Sequence, residues 1–253
     1  MPWNPDVYHQ FEKERSAPFD DLLALITRRQ GIDVIDLGCG TGELTLQLAG
    51  ALPGSNVLGI DSSSEMLSRA QKLSGPNLHF EQGKIEDIQG QWDLVFSHAA
   101  VQWVDDHQTL IPRLLSLVRP GGQLAVQMPS NHNSFAHMAI RQIASESPFR
   151  EALNGWNRQS PVLALDSYAE LLYEHGGRNL VVFEKVYPHV LENVEAVREW
   201  TRGTALVPYL ERLSSEQQTA FLEAYTSRLK THWPGSPVFY GFRRILFAAT
   251  IPA

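Results

Sequence analysis

Between residues 33 and 128 short apolar runs alternate with helix-period stretches, and this rhythm restricts the chain more than any other feature. Strand patterns are read at 33–36, 56–60, 78–81, 92–97 and 121–128, with helices at 43–51, 64–73 and 105–117 between them. Strands separated by helices run parallel, because the helix carries the chain back to the edge from which the next strand starts. Sheets of this kind hold ligands outside the carboxyl ends of their strands, near the switch in strand order. The positions that follow each strand are therefore Gly38 to Gly42, Asp61 to Ser62, Gly83 to Ile85, Ser97 to Gln102 and Gln127 to Pro129. Pro120-Gly121-Gly122 reads as the turn before the fifth of these strands.

The first strand runs into Val34-Ile35-Asp36-Leu37-Gly38-Cys39-Gly40-Thr41-Gly42 and then a helix start, Glu43-Leu44-Thr45-Leu46. Glycines allow a sharp turn and let a ligand lie against the main chain. Their spacing is G-x-G-x-G, not the G-x-G-x-x-G of a pyrophosphate cradle. Asp36 before the loop repels phosphate and attracts an ammonium group, which fits a cofactor with an amino-acid end such as S-adenosylmethionine. Asp61 ends the second strand about 20 residues further on, the place from which a carboxylate reaches ribose hydroxyls. The lesser alternative is that it only caps the helix that starts near Ser63. Cys39, the single cysteine, excludes an internal disulfide and has no adjacent base to activate its thiol.

With 253 residues, 43% hydrophobic and 19% charged, the chain has the composition of one sizeable globular domain. The net charge of −7 and the scattered Lys and Arg argue against a nucleic-acid partner. No apolar stretch approaches the roughly 18 residues of a membrane span, and no Cys/His spacing suggests a metal. The start, Met1-Pro2-Trp3-Asn4, lacks a secretory pattern, so a cytoplasmic location is expected. Residues 1–30 read as an arm and a covering helix, with Tyr8, Phe11 and Arg15 either facing a ligand or packed and solvated at the sheet edge.

Beyond residue 130 the rhythm changes. Asn131-His132-Asn133-Ser134 is a polar loop before a helix-like stretch through Ile143, and another helix is read from Ser167 to His175, stopped by Gly176-Gly177. Leu180 to Val190 reads as a strand, Asn193 to Leu206 and Ser214 to Thr231 as amphipathic helices, and Phe239 to Thr250 as the last strand.

Taken end to end, the chain resembles the class I S-adenosylmethionine-dependent methyltransferases and, within them, the trans-aconitate 2-methyltransferase family. The resemblance rests on Trp3-Asn4-Pro5 with Tyr8, Phe11 and Glu14-Arg15; on Asp36 to Gly42; and on Gly59-Ile60-Asp61-Ser62-Ser63 with Met66. Narrower still are Gln102-Trp103 with Asp106-His107, and Leu124-Ala125-Val126-Gln127-Met128-Pro129. The implied fold is α/β: a doubly wound, Rossmann-like, mostly parallel seven-stranded sheet with helices on both faces and a helical cap. It implies a single methyltransferase domain over 1–253, with the arm at 1–30, a cofactor half at 31–129 and a substrate-side half at 130–253. Implied cofactor residues are Arg15, Asp36, Gly38, Cys39, Gly40, Gly42, Asp61, Ser62, Met66, Lys84, Ile85 and His98. Lys84 stands where the family commonly has Asp, and Val207 where an Arg is expected.

The implied activity is methyl-ester formation on a carboxylate of a small organic acid, trans-aconitate or a related polycarboxylate. A carboxylate is ionised at neutral pH and needs no general base; an amine or phenol acceptor would call on His98 or His132. Groups expected to position the reaction are His98, Gln102, Trp103 and Arg244, and the expected substrate contacts are Tyr8, Phe11, His132, Trp200, Tyr240 and Arg244. Arg202 and Arg243 are weaker candidates. Trp103 and Trp200 either wall the acceptor or belong to the core, and Gln127-Met128-Pro129 reads as a strand end. The expected partner is a small-molecule carboxylate, with no nucleic acid or membrane, and the chain is expected to be a monomer or weak homo-oligomer. Competing classes are a methyltransferase for another acceptor, a nicotinamide oxidoreductase and a non-catalytic cofactor binder.

Overall fold

The structure, a computed structural model, describes residues 12–253, and of residues 12–16 only the helical backbone. Tyr8, Phe11 and the Arg15 side chain thus lie outside the described residues. The strands are β1 (Asp33–Leu37), β2 (Asn56–Asp61), β3 (Leu78–Gln82), β4 (Trp92–His98), β5 (Val118–Pro129), β6 (Arg178–Leu191) and β7 (Val238–Thr250). They form one open seven-stranded sheet in the order β3-β2-β1-β4-β5-β7-β6. The ladders from β3 through β5 are parallel and β7 is antiparallel to β5. The chain winds outward from β1 to β3 and then crosses to β4 on the other side of β1. The switch in strand order therefore lies at the carboxyl ends of β1 and β4.

The chain divides into two compact units. One holds Ser16–Pro129, Pro161–Lys185 and Arg244–Ala253; the other includes Ser130–Ser160 and Val186–Arg243. In the first unit, pleat parity sorts the sheet into two faces. Val34, Val57, Phe80, Leu94, Phe96, Ala125, Leu246 and Ala248 share one apolar cluster with Phe19, Leu22 and Ile26. Phe19 and Leu22 belong to α1 (Glu12–Leu25), and Leu48 and Leu67 of the same cluster belong to α2 (Glu43–Ala51) and α3 (Ser64–Ala70). Ile35, Leu37, Val95, Leu124, Val126, Met128, Ile245 and Phe247 form the other face. It is covered by Leu110, Ile111 and Leu114 of α4 (His107–Ser116) and by Tyr168 and Leu172 of α7 (Leu165–Glu174). Both faces are thus dry, which is why the parallel strands read as near-continuous apolar runs.

Gln123 ties α1 to β5: its Oε1 accepts from Thr27 N at 2.9 Å and its Nε2 donates to Leu25 O at 2.9 Å. The turn expected at Pro120-Gly121-Gly122 is instead a bulge inside β5. Trp92 pairs with Val118 and Leu94 with Gln123, so the extra residues are extruded, and Gly121 N bonds Ile251 O at 2.9 Å.

The second unit is built around helices α5 (Phe135–Ala144), α6 (Phe149–Ala152), α8 (Val194–Arg202), α9 (Val207–Leu210) and α10 (Ser215–His232). Its core is rich in rings: Phe149, Trp200, Tyr209, Phe221, Tyr225, Tyr240 and Phe242. The helix expected to continue to Leu206 stops at Arg202. A turn through Gly203 intervenes before α9, with Thr204 Oγ1 donating to Trp200 O at 3.2 Å. The helix α10 opens with the capping box anticipated at Ser214 and Gln217. Among the described residues no helix is long and apolar enough to cross a membrane.

Candidate active site

The loop after β1 gives its three glycines different duties. All have positive φ, +80° at Gly38, +57° at Gly40 and +86° at Gly42. A Cβ on Gly38 would sit 2.1 Å from the Ala100 Cβ, and one on Gly42 would sit 2.9 Å from Ala70 and Phe80. Those two are glycine because protein packs against them. A Cβ on Gly40 would meet nothing within 4 Å. Gly40 is therefore the position where the main chain is bare toward open space, the feature a cofactor cradle requires.

Asp61, at the end of β2, braces this loop. Its Oδ2 accepts from Gly40 N at 2.9 Å and its Oδ1 from Ser63 N at 2.8 Å, while Gly38 N and Cys39 N both donate to Ile60 O. The cap of α3 falls to Ser63, whose Oγ accepts from Met66 N at 3.3 Å, so Asp61 serves the loop and is not the helix cap. Each Asp61 carboxylate oxygen keeps a second lone-pair direction for a ligand.

Asp36 lies deeper, only 3% exposed, and its Oδ2 accepts from Thr45 Oγ1 at 2.6 Å. Burial pushes its pKa up to about 7; the Thr45 bond opposes the rise and the nearby Asp61 charge adds to it. Its hydrogen-bond partner is thus internal, a side chain of the helix that follows the loop. Thr45 carried no sequence signal, because only the first turn of α2 brings it under the loop. Cys39 is buried, and desolvation drives its thiol pKa upward, so it behaves as a filler.

Of the remaining expected cofactor residues, Ser62 and Lys84 are exposed, Met66 is half-buried in the first turn of α3, and Ile85 is buried in the core beside Gly38. Lys84 precedes a short 3₁₀ turn, Ile85–Asp87, and its side chain has solvent around it.

On the sheet face that carries Asp36, three polar residues line up at the strand ends. His98 pairs in register with Gln127, and Arg244, in the middle of β7 opposite Pro129, lies two residues from Leu246, the antiparallel partner of Gln127. Gln127 is fully buried and Arg244 is 7% exposed. The Arg244 Nη1 donates to Gln127 Oε1 at 3.3 Å. The His98 ring stands edge-on to Phe19, with centroids 5.6 Å apart. Burial, with the Arg244 charge, lowers the His98 pKa to about 3, so the ring is neutral at any physiological pH. A polar residue inside the apolar run Leu124–Met128 is the signal that marks Gln127 as more than a strand end.

Gln102 and Trp103 occupy a 3₁₀ turn, Val101–Trp103, after β4. Gln102 Nε2 donates to Ala99 O at 2.7 Å, and Trp103 is 51% exposed, which places it outside the core. A buried relay holds this turn. Val101 O can only accept, so the His107 Nε2 at 2.9 Å carries the proton, and Nδ1 accepts from Tyr168 OH at 2.5 Å. Tyr168 in turn accepts from Leu163 N at 3.1 Å.

In the second unit, Trp200 is buried among His189, Tyr240 and Phe242, with ring centroids 4.8 to 6.0 Å away, so its position is that of a core residue. Tyr240 is buried in the same cluster, and desolvation raises its phenol pKa. His132 lies in a 3₁₀ turn, Asn131–Asn133, with its carbonyl accepting from Arg141 Nη1 at 2.6 Å. Arg243 and Arg202 are exposed, the latter 3.6 Å from Glu199.

Residues 28–175 match a family model described as a methyltransferase domain. A trans-aconitate 2-methyltransferase from Deinococcus radiodurans is 49% identical over 258 aligned positions, covering 100% of this chain and 99% of that protein. One from Variovorax paradoxus is 37% identical, covering 92% of this chain and 91% of that protein. Among solved structures, the YcgJ protein of Bacillus subtilis superposes with a TM-score of 0.61 at 14% identity, over 94% of this chain and 99% of that one. A phosphoethanolamine N-methyltransferase 2 from Haemonchus contortus gives a TM-score of 0.56 at 19% identity, over 94% of this chain and 53% of that one. The fold likeness is to methyltransferases at large, whereas sequence identity along the whole chain is much narrower, and by it the chain belongs to the trans-aconitate 2-methyltransferase family of methyltransferases.

Proposed function

We propose that this chain transfers a methyl group from S-adenosylmethionine to a carboxylate of trans-aconitate or a related polycarboxylate, giving a methyl ester and S-adenosylhomocysteine. The observation that carries the reading is the row of His98, Gln127 and Arg244, near the carboxyl ends of β4 and β5 and in the middle of β7, a polar and cationic set on the largely apolar sheet face that also carries Asp36. When bound, S-adenosylmethionine supplies an electrophilic methyl on a sulfonium. The bare main chain at Gly40 and the Asp61 carboxylate suit its adenosyl part, and the acidic charge at Asp36 suits its ammonium end.

The acceptor oxygen attacks carbon as the sulfur–carbon bond breaks and the electron pair stays on sulfur. No proton moves, since the carboxylate is already ionised. What the residues contribute is alignment and exclusion of water, worth up to roughly 7–11 kcal/mol in well-oriented systems. His98, held neutral by burial and the adjacent guanidinium, is a poor general base, which weighs against amine and phenol acceptors. Incubation with labelled methyl donor and trans-aconitate, an amine or a phenol tests the reading. Label that mild alkali releases as methanol is the expected ester. Transfer only to an alkali-stable product on the amine or phenol would overturn it.

A further inference from the structure

Gln127 holds a position that packing alone would fill better with leucine or methionine. It has no solvent exposure, and Ala125 and Leu246 on the same sheet face are apolar. Its orientation follows from chemistry. A guanidinium cannot accept a hydrogen bond, so the oxygen of the carboxamide faces Arg244 Nη1, 3.3 Å away, and the nitrogen points elsewhere. That Nε2 has no hydrogen-bond partner among the described residues, and neither does the buried Nε2 of His98 on the neighbouring strand at the same register. Two orphaned polar nitrogens at adjacent strand ends are costly, and such groups persist where something else satisfies them.

We infer that Gln127 is the specificity-determining residue of the acceptor site: its Nε2–H donates to one carboxylate oxygen of the acceptor, beside His98 Nε2 and within the field of the Arg244 charge. This rests on the methyl-transfer reading and deepens it, since it assigns the group that fixes where the acceptor oxygen must lie. Arg244 supplies attraction to any anion, whereas a carboxamide N–H held rigidly by its own oxygen reads a planar oxygen acceptor at a fixed place.

The discriminating variant is Gln127→Glu. It keeps an oxygen facing Arg244, so a role limited to orienting that arginine survives, but the donor becomes a second carboxylate oxygen and the local charge is neutralised. We expect the KM for trans-aconitate to rise tenfold or more with kcat changed much less, while S-adenosylhomocysteine still raises the melting temperature as in the wild type. Gln127→Met, nearly isosteric and uncharged, covers failure of the first variant to fold and is expected to raise KM in the same direction. A wild-type KM in either folded variant, or a loss of S-adenosylhomocysteine binding equal to the loss of acceptor affinity, overturns the inference. Absence of wild-type transfer to trans-aconitate and to related polycarboxylates would instead overturn the underlying reading, so the two failures are separable.

Discussion

Asp36 gives the sharpest quantitative test, through the substitution Asp36→Asn in the cofactor-free protein. The carboxyl is 3% exposed and its pKa is pushed from 3.8 to about 7, chiefly by burial. An acid whose folded pKa is raised binds its proton more tightly in the native state. Its contribution to stability is complete below the unfolded value of 3.8 and is lost as pH rises toward about 7. Three units correspond to about 4 kcal/mol, of which about 3 kcal/mol accumulates between pH 5 and pH 8. Asparagine retains an oxygen for Thr45 Oγ1, now 2.6 Å away, so the hydrogen bond is kept and only the charge is removed. In a chain of this size each kcal/mol moves the melting temperature by about 2–4 °C. Melting of wild type and variant across pH 5 to 8 should therefore show the variant gaining about 6–12 °C relative to wild type as pH rises. A gap that stays constant with pH, or that favours the wild type at pH 8, would refute the electrostatic account of the loop. The same variant is expected to bind S-adenosylmethionine more weakly, a loss of function accompanied by a gain in stability.

The glycines separate by the same logic. Gly38→Ala, which would force a Cβ to 2.1 Å from Ala100 at φ +80°, should abolish or severely reduce cooperative folding. Gly40→Ala, with open space around it, should cost only about 1–2 kcal/mol of backbone strain while removing most of the stabilisation by S-adenosylhomocysteine; equal losses in both variants would contradict the division. Tyr168→Phe removes the donor to His107 and the acceptor for Leu163 N, for an expected loss of about 1–3 kcal/mol by chemical denaturation, together with a lower kcat because the turn bearing Gln102 and Trp103 loses its anchor. With the His98 pKa near 3, kcat at saturating donor should show no limb between pH 5.5 and 8 that disappears in His98→Asn, and such a limb in the rate profile would refute a neutral ring.

Much of the fold was legible because each piece is local. A strand reads as an apolar run and a helix as a 3.6-residue period, so the boundaries of β1 to β4 came within a residue or so. The bulge at Pro120-Gly121-Gly122 and the break after Arg202 were not legible. The first depends on pairing with Trp92 and Ile251, and the second on a Thr204 side chain turning back onto Trp200. In the site, Asp36, Asp61 and the glycine loop announced themselves by spacing. The inward bond of Asp36 to Thr45, the bracing of Gly40 by Asp61 and the buried relay from Tyr168 through His107 to Val101 did not, for each joins residues whose distance in sequence says nothing about their distance in space.

By itself, the order of residues determined that a parallel α/β sheet would form and that acidic groups and a bare loop would stand at its carboxyl end, since strand period, helix period and glycine chemistry act within a few residues. Which polar groups face one another was decided only by tertiary structure. The antiparallel return of β7 beside β5 sets Arg244 on the pleat face of Gln127, and the parallel register of β4 with β5 sets His98 beside it. A shift of one residue in either ladder would have turned those side chains to the opposite face, because the side-chain period of a strand is two.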